Sequence, residues 1–366
     1  MDIKFPDYDN SIVNLACSVL KHYGAKYNHP ALPIFDNYLM KDYKNVVVMV
    51  FDGLGTDALE YHLEEESFLR KHLAAEISSV FPPTTTAATT SMESGLTPVE
   101  HGWLGWSLYF SEIDKIVNAF INTVKDSDEI AADYHVAGRI IPYKNIYDII
   151  NETGNAKAYS VSPFGTNKVS LHAEMFQEVE RLCDLDGNKY IYAYFPQPDS
   201  DMHEYGCYSE EAASWVKELN RGAEEMSRVL KDTILIITAD HGHINLKYKF
   251  LTDYPEILRM LIRQISIENR AACFYVKDEY KEKFPEEFYK VFGDDFLLFS
   301  REKVIEGKLF GDGEEHPKFQ SFVGDYLAVA ISDKGIAHSH ESAQFVSNHA
   351  GITRKEMMVP FIAVER

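Results

Sequence analysis

The chain has 366 residues, of which 45% are hydrophobic and 13% aromatic, a composition typical of a folded globular protein with a large core. Its formal net charge of -21 excludes sequence-independent binding to nucleic-acid phosphates, because such binding requires a basic surface. A small phosphorylated substrate is compatible with this charge, because bound divalent cations can reverse the electrostatic field inside one cleft.

The cysteine pattern and the N-terminal sequence help to predict the cellular compartment of the protein. Cys17, Cys183, Cys207 and Cys273 lie far apart and form no CxxC pair, which indicates neither a disulfide framework nor a thiolate zinc site and favours a reducing compartment. The first residues lack the basic start and apolar run of a signal peptide. No stretch of about 20 apolar residues predicts a membrane span. We therefore expect a cytoplasmic protein that does not bind a membrane.

The first predicted element is a continuous apolar run at residues 45–51, the pattern of a strand buried on both faces of a parallel sheet. It ends at the sequence DGLG, which begins at Asp52. Residues 57–73 then place leucines among charged residues, which predicts an amphipathic helix. A strand, a glycine-rich turn and a helix together form a βα unit.

The same alternation continues along the next part of the chain. Further strands are predicted at 156–161, 190–195 and 233–238, and helices at 171–182 and 209–230. This alternation predicts the α/β class, with a doubly wound, mostly parallel sheet flanked by helices. Ligands of such sheets collect at the carboxyl ends of the strands, where Asp52 and Asp240 are found.

The alternation breaks after residue 244. Residues 245–340, which include a helical pattern at 255–267, predict a smaller inserted α+β cap region. Residues 105–142 are interpreted as a second, smaller excursion over the site. We expect the catalytic core to comprise residues 1–244 and 341–366. Residues 324–331 and 359–364 are predicted to form closing strands.

Acidic and imidazole side chains follow the predicted strands in several separate segments. Each segment alone is weak evidence, because a solvated loop can show the same residues. Taken together, three carboxylates and three imidazoles suit two zinc ions, which can clamp the attacking and leaving oxygens of a displacement at phosphorus. The candidate ligands are Asp52, Asp199, His203, Asp240, His241 and His349.

A threonine cluster supplies the candidate nucleophile. Pro82 and Pro83 cannot continue a strand, and the alanines that follow favour a helix, so a threonine hydroxyl is predicted at a helix N-terminus. Backbone N–H groups there favour a phosphoryl oxygen, and a bound metal can lower the pKa of the hydroxyl. Simple N-capping by Thr84 or Thr85 is the structural alternative.

Together these segments resemble the type I phosphodiesterase / nucleotide pyrophosphatase branch of the alkaline phosphatase superfamily. The resemblance spans residues 45–364 and is carried, in order, by VVVMVFDGLG, SVFPPTTTAATTSMESGLTPVEHG, PDSDMHEYG, ITADHGH and NHAGITRKEMMVPF. It implies an alkaline-phosphatase-like fold with Thr85 as nucleophile and metal ligand, Thr84 being the near miss. It also implies two zinc ions, one held by Asp52, Asp240 and His241 and the other by Asp199, His203 and His349.

The activity implied by the resemblance is zinc-dependent hydrolysis of a phosphodiester or nucleotide pyrophosphate-type bond in a small phosphorylated substrate. Thr85 would attack phosphorus to give a phosphothreonine, which a zinc-bound hydroxide would release. Mn²⁺ is the alternative metal. Three carboxylates nearly offset two Zn²⁺, and the modest remaining charge suits a monoanionic diester. A phosphomonoesterase or phosphonate hydrolase is the alternative activity, and a metal-stabilised binding module is the alternative class.

Some positions are open to more than one interpretation. Trp106 stands where the family places an asparagine that binds a phosphoryl oxygen, and its indole can stack on a leaving group or pack beneath the cap. Asp201 is the alternative to Asp199, which keeps the four-residue spacing that the family shows. Because six ligands suffice for two ions, three further histidines are left outside the predicted set, namely His243, His338 and His340.

Overall fold

The computed structural model describes residues 2–343 and 345–366. Two seven-stranded sheets form its framework, with helices packed around them. The α-helices are α1 (Ile12–His22), α2 (Pro33–Leu39), α3 (Thr56–His62), α4 (Phe68–Lys71), α5 (Thr85–Ser94), α6 (Pro98–His101), α7 (Val136–Ile140), α8 (Ile146–Thr153), α9 (His172–Cys183), α10 (Asp199–Tyr205), α11 (Glu210–Ser227), α12 (Pro255–Leu258), α13 (Phe284–Phe292), α14 (Arg301–Glu306), α15 (Phe319–Val323) and α16 (Arg354–Met357).

The strands are β1 (Asn45–Phe51), β2 (Leu73–Ser78), β3 (Ser107–Phe110), β4 (Lys115–Asn118), β5 (Thr123–Val124), β6 (Lys157–Ser162), β7 (Asn167–Lys168), β8 (Lys189–Phe195), β9 (Thr233–Thr238), β10 (Ile244–Asn245), β11 (Lys247–Phe250), β12 (Ser266–Ile267), β13 (Ala271–Phe274), β14 (Phe296–Ser300), β15 (Tyr326–Ala330), β16 (Lys334–Ala337), β17 (Ser347–Asn348) and β18 (Met358–Glu365). None of the helices formed by the described residues is long and apolar enough to cross a membrane.

The first sheet has the strand order β2-β18-β9-β1-β8-β6-β7. Its central strand β1 pairs in parallel with β8 and with β9, so that Phe51 lies beside Phe195 and Val50 beside Thr238. Strand β18 runs antiparallel to both of its neighbours, β9 and β2. The predicted α/β class with a mostly parallel sheet is confirmed.

Burial explains why the central strands form where the sequence predicts them. Every residue of β1, β8 and β9 is buried, and the side chains from Val46 to Val50 are completely inaccessible to solvent. Branched apolar side chains fit a sheet covered on both faces, and each buried valine stabilises the fold by roughly 1.5–3 kcal/mol. The core therefore lies along these three strands.

The second sheet is antiparallel and has the order β14-β15-β13-β12-β3-β4-β5. Strands β3 to β5 come from the excursion predicted at 105–142, whereas the other four strands come from the predicted insertion. The two groups join where Ile267 of β12 pairs with Ser107 of β3. Both excursions thus build one sheet, while the boundaries of core and cap stay a prediction.

Two predicted helices differ from the observed elements. The helix predicted at 57–73 is divided into α3 and α4, because three consecutive glutamates at 64–66 provide no apolar side chain to bury, and β2 begins at Leu73. The helix predicted at 255–267 ends with α12 at Leu258. Its last residues form β12, since Ile267 pairs with two neighbouring strands, an interaction that local periodicity does not reveal.

A buried ion pair connects the two sheets. Arg270, just before β13 of the second sheet, donates from Nε and Nη2 to the two carboxylate oxygens of Glu356, at 2.6 and 2.8 Å. Glu356 lies in α16, immediately before β18 of the first sheet. Both side chains are fully buried. The guanidinium also donates to the carbonyl oxygens of Lys334 and Ser332, so its charge is well satisfied.

Candidate metal centre and nucleophile

The carboxyl ends of β1, β8 and β9 place three carboxylates next to one another. Asp52 follows β1 directly, Asp240 follows β9, and Asp199 opens α10 after β8. The backbone ties the first and third together, since Asp52 N donates to Phe195 O and Asp199 N donates to Asp52 O, both at 3.0 Å. Because the three strands are adjacent, their carboxylates meet at one edge of the sheet.

A glycine makes this close approach feasible. Gly53 has φ +72°, and a Cβ on it would lie 3.0 Å from both Cα and Cβ of Asp199. A side chain at this position would therefore strain the backbone and push Asp199 away. The DGLG turn after β1 is consequently required by the packing of the site.

Asp52, Asp240 and His241 form a buried, carboxylate-rich group. His241 Nε2 lies 3.4 Å from Asp52 Oδ1 and 3.4 Å from Asp240 Oδ2. Neither of these two carboxylate oxygens has a hydrogen-bond partner among the described residues. Tyr194 donates its hydroxyl hydrogen to the other oxygen of Asp52, and Gly53 N donates to the other oxygen of Asp240. The two unpartnered oxygens thus fit a bound cation.

Electrostatics support this interpretation. Burial and the neighbouring charges of Asp240 and Asp199 raise the pKa of Asp52 well above its ordinary value. Burial also raises the pKa of Asp240, although His241 opposes the shift. Burial and mutual repulsion destabilise the ionised forms of neighbouring carboxylates. A bound divalent cation would offset this electrostatic cost.

Asp199 lies at the centre of a second, imidazole-rich group. Three histidines direct Nε2 towards Asp199 Oδ1, with His203 at 3.5 Å, His243 at 2.5 Å and His349 at 3.9 Å. One ligand atom from each of these four residues lies within 4.8 Å of the other three. A second set, in which Asp199 is joined by Asp52 and His241, meets the same criterion. Both sets have the composition of a metal centre.

The second ring nitrogen of each predicted histidine ligand is held by a backbone carbonyl. His203 Nδ1 lies 2.9 Å from Ser347 O, His241 Nδ1 3.1 Å from Gly242 O, and His349 Nδ1 3.0 Å from Pro83 O. A carbonyl only accepts, so Nδ1 carries the hydrogen and Nε2 of the neutral ring has a free lone pair. This is the arrangement of metal-binding histidines.

Burial also keeps the rings of His243 and His349 neutral. It lowers the pKa of His243 to about 4 and holds the pKa of His349 well below its ordinary value. Neutral imidazole is the form that binds a metal ion. The chemistry of the donor set therefore fits divalent cations at this edge of the sheet.

The two threonines considered as nucleophile point in different directions. Thr85 is the first residue of α5, and its Oγ1 lies 3.2 Å from His241 Nε2. Thr84 is the N-cap residue but makes no side-chain capping hydrogen bond, and its hydroxyl donates to Glu268 Oε1 at 2.6 Å. The structure thus brings Thr85, and not Thr84, to the carboxylate-rich group.

The remaining sequence candidates are distributed as follows. Asp201, the alternative to Asp199, is only partly buried and interacts with Trp215 and Gln197. His338 lines the cleft, whereas His340 is exposed and lies 3.4 Å from Asp253. His243, which the sequence analysis left outside the ligand set, contacts Asp199 directly.

A cleft of about 830 Å³ opens beside Thr85 and is walled partly by the second sheet. Trp106 precedes β3, is 39% exposed, and donates its backbone N–H to Glu268 Oε1 at 2.7 Å. Trp106 is one of the residues that line the cleft. Among the described lining residues, Lys125 alone carries a lysine or arginine side chain, and its Nζ donates to Ile265 O at 2.9 Å.

Sequence reasoning missed Glu268 and Lys125 as residues of the cleft. Burial raises the pKa of Glu268, while Thr84, Trp106 and Lys125 oppose that shift. Neither residue belongs to a sequence motif. Both reach the site through the pairing of strands in the second sheet, which a local sequence pattern does not reveal. His243, in contrast, could have been identified from the sequence, because it lies two residues after His241 in the ITADHGH segment.

Comparisons with known proteins bear on the family and the fold. A family model described as type I phosphodiesterase / nucleotide pyrophosphatase matches residues 46–331. No curated protein sequence matches the chain. Among solved structures, the chain is similar to murine ectonucleotide pyrophosphatase / phosphodiesterase 5, with a TM-score of 0.65 and 16% identity over 87% of each chain.

Two further structures share the fold. An inactive variant of the same murine protein in complex with AMP has a TM-score of 0.64 and 17% identity over 88% of each chain. Phosphonoacetate hydrolase from Sinorhizobium meliloti 1021 in complex with phosphonoformate has a TM-score of 0.65 and 14% identity, over 88% of this chain and 90% of that chain. The family match spans well over half of the sequence, and the chain therefore belongs to the type I phosphodiesterase / nucleotide pyrophosphatase family and is a phosphoric ester hydrolase.

Proposed function

We propose that the protein hydrolyses a phosphodiester or nucleotide pyrophosphate bond of a small substrate, with Thr85 as nucleophile and two divalent metal ions, preferentially Zn²⁺, as cofactors. The observation that carries this proposal is the position of Thr85 Oγ1, 3.2 Å from Nε2 of His241. That Nε2 atom lies 3.4 Å from each of the unpartnered oxygens of Asp52 and Asp240. A hydroxyl placed there faces the cleft in which the substrate would lie.

The residues present fit two cations. Asp52, Asp240 and His241 would hold one, with Thr85 beside it, and Asp199, His203 and His349 would hold the other. When bound, such ions lower the pKa of a hydroxyl and neutralise negative charge on phosphoryl oxygens. Imidazole and carboxylate ligands favour Zn²⁺, with Mn²⁺ as the alternative.

The position of Thr85 on α5 adds to its suitability. At the first residue of a ten-residue helix, backbone N–H groups without intrahelical partners face the position of a phosphoryl group. Attack by Thr85 Oγ1 would form an oxygen–phosphorus bond and break the bond to the leaving group. The intermediate formed from a diester keeps the second ester group; water would then cleave the bond between Thr85 Oγ1 and phosphorus, release the monoester and restore the threonine hydroxyl.

Phosphonate hydrolysis is the second candidate activity. Lys125 is the one lysine or arginine that lines the described cleft, and two of its three N–H donors have no hydrogen-bond acceptor there. A second anionic group on the substrate, such as a carboxylate, would satisfy them. The structural similarity to a phosphonoacetate hydrolase supports this candidate, while the similarity to a nucleotide pyrophosphatase in complex with AMP supports the first.

The test compares bis(p-nitrophenyl) phosphate, p-nitrophenyl phosphate and phosphonoacetate as substrates of zinc-loaded protein. We expect the diester to have the highest kcat/KM. Thr85→Ala should lower every rate by about 10⁴-fold or more, because a nucleophile has no substitute in the site. Acid-quenched reactions of the wild type with bis(p-nitrophenyl) phosphate should contain a p-nitrophenylphosphoryl group on Thr85, detected by mass spectrometry.

Thr84→Ala is the matched control, since the neighbouring hydroxyl donates to Glu268 and not to the carboxylate-rich group. It should retain turnover within about tenfold, the effect of losing one hydrogen bond. Full activity of Thr85→Ala would contradict the proposal. A preference for phosphonoacetate that persists across metal loadings would favour the second candidate.

A further inference from the structure

Thr84 has the residue type and the backbone conformation of a helix cap, but its side chain does not cap α5. It is the N-cap residue, with φ -143° and ψ 147°, and its carbonyl oxygen accepts a hydrogen bond from Ala88 N at 2.9 Å. A threonine at this position usually accepts a second hydrogen bond, through its hydroxyl, from one of the first N–H groups of the helix. The Thr84 hydroxyl makes no such bond. An interaction from outside the helix therefore holds it elsewhere.

Glu268, which directly follows β12, supplies that interaction. Its Oε1 atom accepts a hydrogen bond from the Thr84 hydroxyl at 2.6 Å and another from the backbone N–H of Trp106 at 2.7 Å. Trp106 directly precedes β3. One carboxylate oxygen of the second sheet thus joins the residue before the proposed nucleophile to the start of β3.

The backbone immediately before Glu268 is strained. Ile267 has φ +71°, in the left-handed region that a β-branched residue adopts only when the surrounding structure imposes it. It pairs with Ser107 of β3, and a Cβ on Gly105 would lie 2.8 Å from Ile267 Cγ2 and 3.0 Å from its carbonyl oxygen. The close approach of these two segments fixes Ile267 and, with it, the direction in which Glu268 leaves β12.

The first turn of α5 keeps its backbone donors free. Among the described residues, the N–H groups of Thr85, Thr86 and Ala87 find no hydrogen-bond acceptor. Such N–H groups at a helix N-terminus suit a phosphoryl oxygen. A capping Thr84 hydroxyl would occupy one of them and compete with the substrate. The contact with Glu268 prevents this competition.

We propose that Glu268 is a positioning residue, which holds the Thr84 hydroxyl away from α5 and so keeps the N-terminus of this helix open for a phosphoryl oxygen. Glu268 acts through Thr84 and not on phosphorus. The inference rests on the proposed function, since it takes Thr85 as the nucleophile at that N-terminus. It also accounts for the expected activity of Thr84→Ala, because removal of the hydroxyl leaves the N–H groups free.

The first test is a double-mutant cycle on zinc-loaded protein with bis(p-nitrophenyl) phosphate. Glu268→Ala releases the Thr84 hydroxyl to cap α5, and kcat/KM should fall by about 10- to 100-fold, the effect of losing one hydrogen bond to a charged group. Adding Thr84→Ala to this variant should restore kcat/KM to the value of Thr84→Ala alone. Failure of this restoration would overturn the proposal, because a merely structural role of Glu268 predicts no gain from a second truncation.

A conservative variant and a matched control complete the cycle. Glu268→Gln keeps an oxygen that can accept from both donors, so its kcat/KM should stay within about threefold of the wild type. Asp325→Ala is the control, because Asp325 also accepts from a backbone N–H, that of Val276 at 2.8 Å, but does not contact Thr84. Any loss that Asp325→Ala causes should not be restored by Thr84→Ala. Glu268→Leu replaces the alanine variant if that variant unfolds.

A second readout does not depend on turnover. In a crystal structure of Glu268→Ala, Thr84 Oγ1 should lie within about 3.2 Å of the backbone nitrogen of Thr86 or Ala87, the atoms that an N-cap threonine contacts. Inorganic phosphate should inhibit this variant more weakly than the wild type and should regain its potency when Thr84→Ala is added. A Thr84 hydroxyl that stays away from the helix in Glu268→Ala would contradict the proposal.

The outcomes separate this inference from the proposed function. If Thr85→Ala is inactive but the loss in Glu268→Ala is not restored by Thr84→Ala, the inference is wrong and the function stands. If Thr85→Ala remains fully active, both are wrong, because the N-terminus of α5 is then not the site of attack. Loss of activity in Thr85→Ala together with restoration in the double variant supports both.

Discussion

The two sheets supply different kinds of residue to the same cleft. The first, mostly parallel sheet carries the carboxylates and most of the imidazoles at its strand ends, deep in the protein. The second, antiparallel sheet supplies Trp106, Lys125 and Glu268, each immediately next to one of its strands. We therefore expect the first sheet to determine the chemistry at phosphorus and the second, apart from the positioning role of Glu268, to determine which substrate fits. Substitutions in the two sheets should therefore have different signatures.

Among these substitutions, we expect the largest loss of activity from a change in the first sheet. Asp199→Ala should lose zinc and lower the rate on every phosphorus ester by a similar factor, about a thousandfold, or roughly 4 kcal/mol of transition-state stabilisation. The measurement is zinc content together with kcat/KM on three substrates. Asp201→Ala is the matched control, and full zinc content in Asp199→Ala would contradict the assignment of ligands.

The connection between the sheets should have the next largest effect. Arg270→Met leaves Glu356 buried without its partner, which destabilises a protein by about 3–5 kcal/mol. Urea unfolding should show this loss, and the double variant Arg270→Met/Glu356→Leu should recover part of it. Arg221→Met is the control, because this arginine is 59% exposed and its ion pair with Glu218 contributes about 0–1 kcal/mol.

A smaller and selective effect is expected from the second sheet. Lys125→Met should lower kcat/KM for phosphonoacetate by about 10- to 100-fold more than for bis(p-nitrophenyl) phosphate, since a charge-assisted hydrogen bond contributes about 1.5–3 kcal/mol. Zinc content should not change. An equal loss of kcat/KM on both substrates would contradict the different roles of the two sheets. Lys115→Met serves as control, because Lys115 lies nearby in sequence and pairs with Glu129.

The smallest effect concerns the pH dependence of stability in metal-free protein. The folded-state pKa values of Asp52 and Asp240 are raised, so their contribution to stability is present below the unfolded value of about 3.9 and is lost as pH rises through the folded values. Asp240→Asn should therefore lose less stability than the wild type as the pH rises above about 4.

Thermal unfolding in the presence of a chelator measures this difference, and added zinc should abolish it for the wild type. Asp312→Asn is the control, because this carboxylate lies in an exposed turn and pairs with Lys308. A steeper loss of stability in Asp240→Asn than in the wild type would show that the two carboxylates do not repel each other in the folded protein.

The sequence was most informative where local pattern and tertiary environment agree. The strands at 45–51 and 233–238 have the predicted bounds, because continuous β-branched runs suit a sheet covered on both faces. Carboxylates directly after such strands could be placed at one edge of the sheet, since parallel strands end together. The six predicted ligands do meet there, and their metal-binding role stays a proposal.

Other features could not be predicted because distant segments create them. Whether residues near 267 form helix or strand depends on pairing with Ser107, some 160 positions earlier. Glu268 and Lys125 enter the cleft through that same pairing. The hydrogen positions on the histidine rings depend on carbonyls such as Pro83 O and on Ser347, which are also remote in sequence.

The amino-acid sequence by itself thus determined the parallel core, the order of its elements and the residue types at its strand ends, because these follow from local hydrophobic periodicity. Only the tertiary structure decided that Thr85 rather than Thr84 faces His241, that His243 contacts Asp199, and that two separate excursions form one sheet over the cleft. These contacts join residues that no local pattern relates, and the packing of the whole chain brings them together.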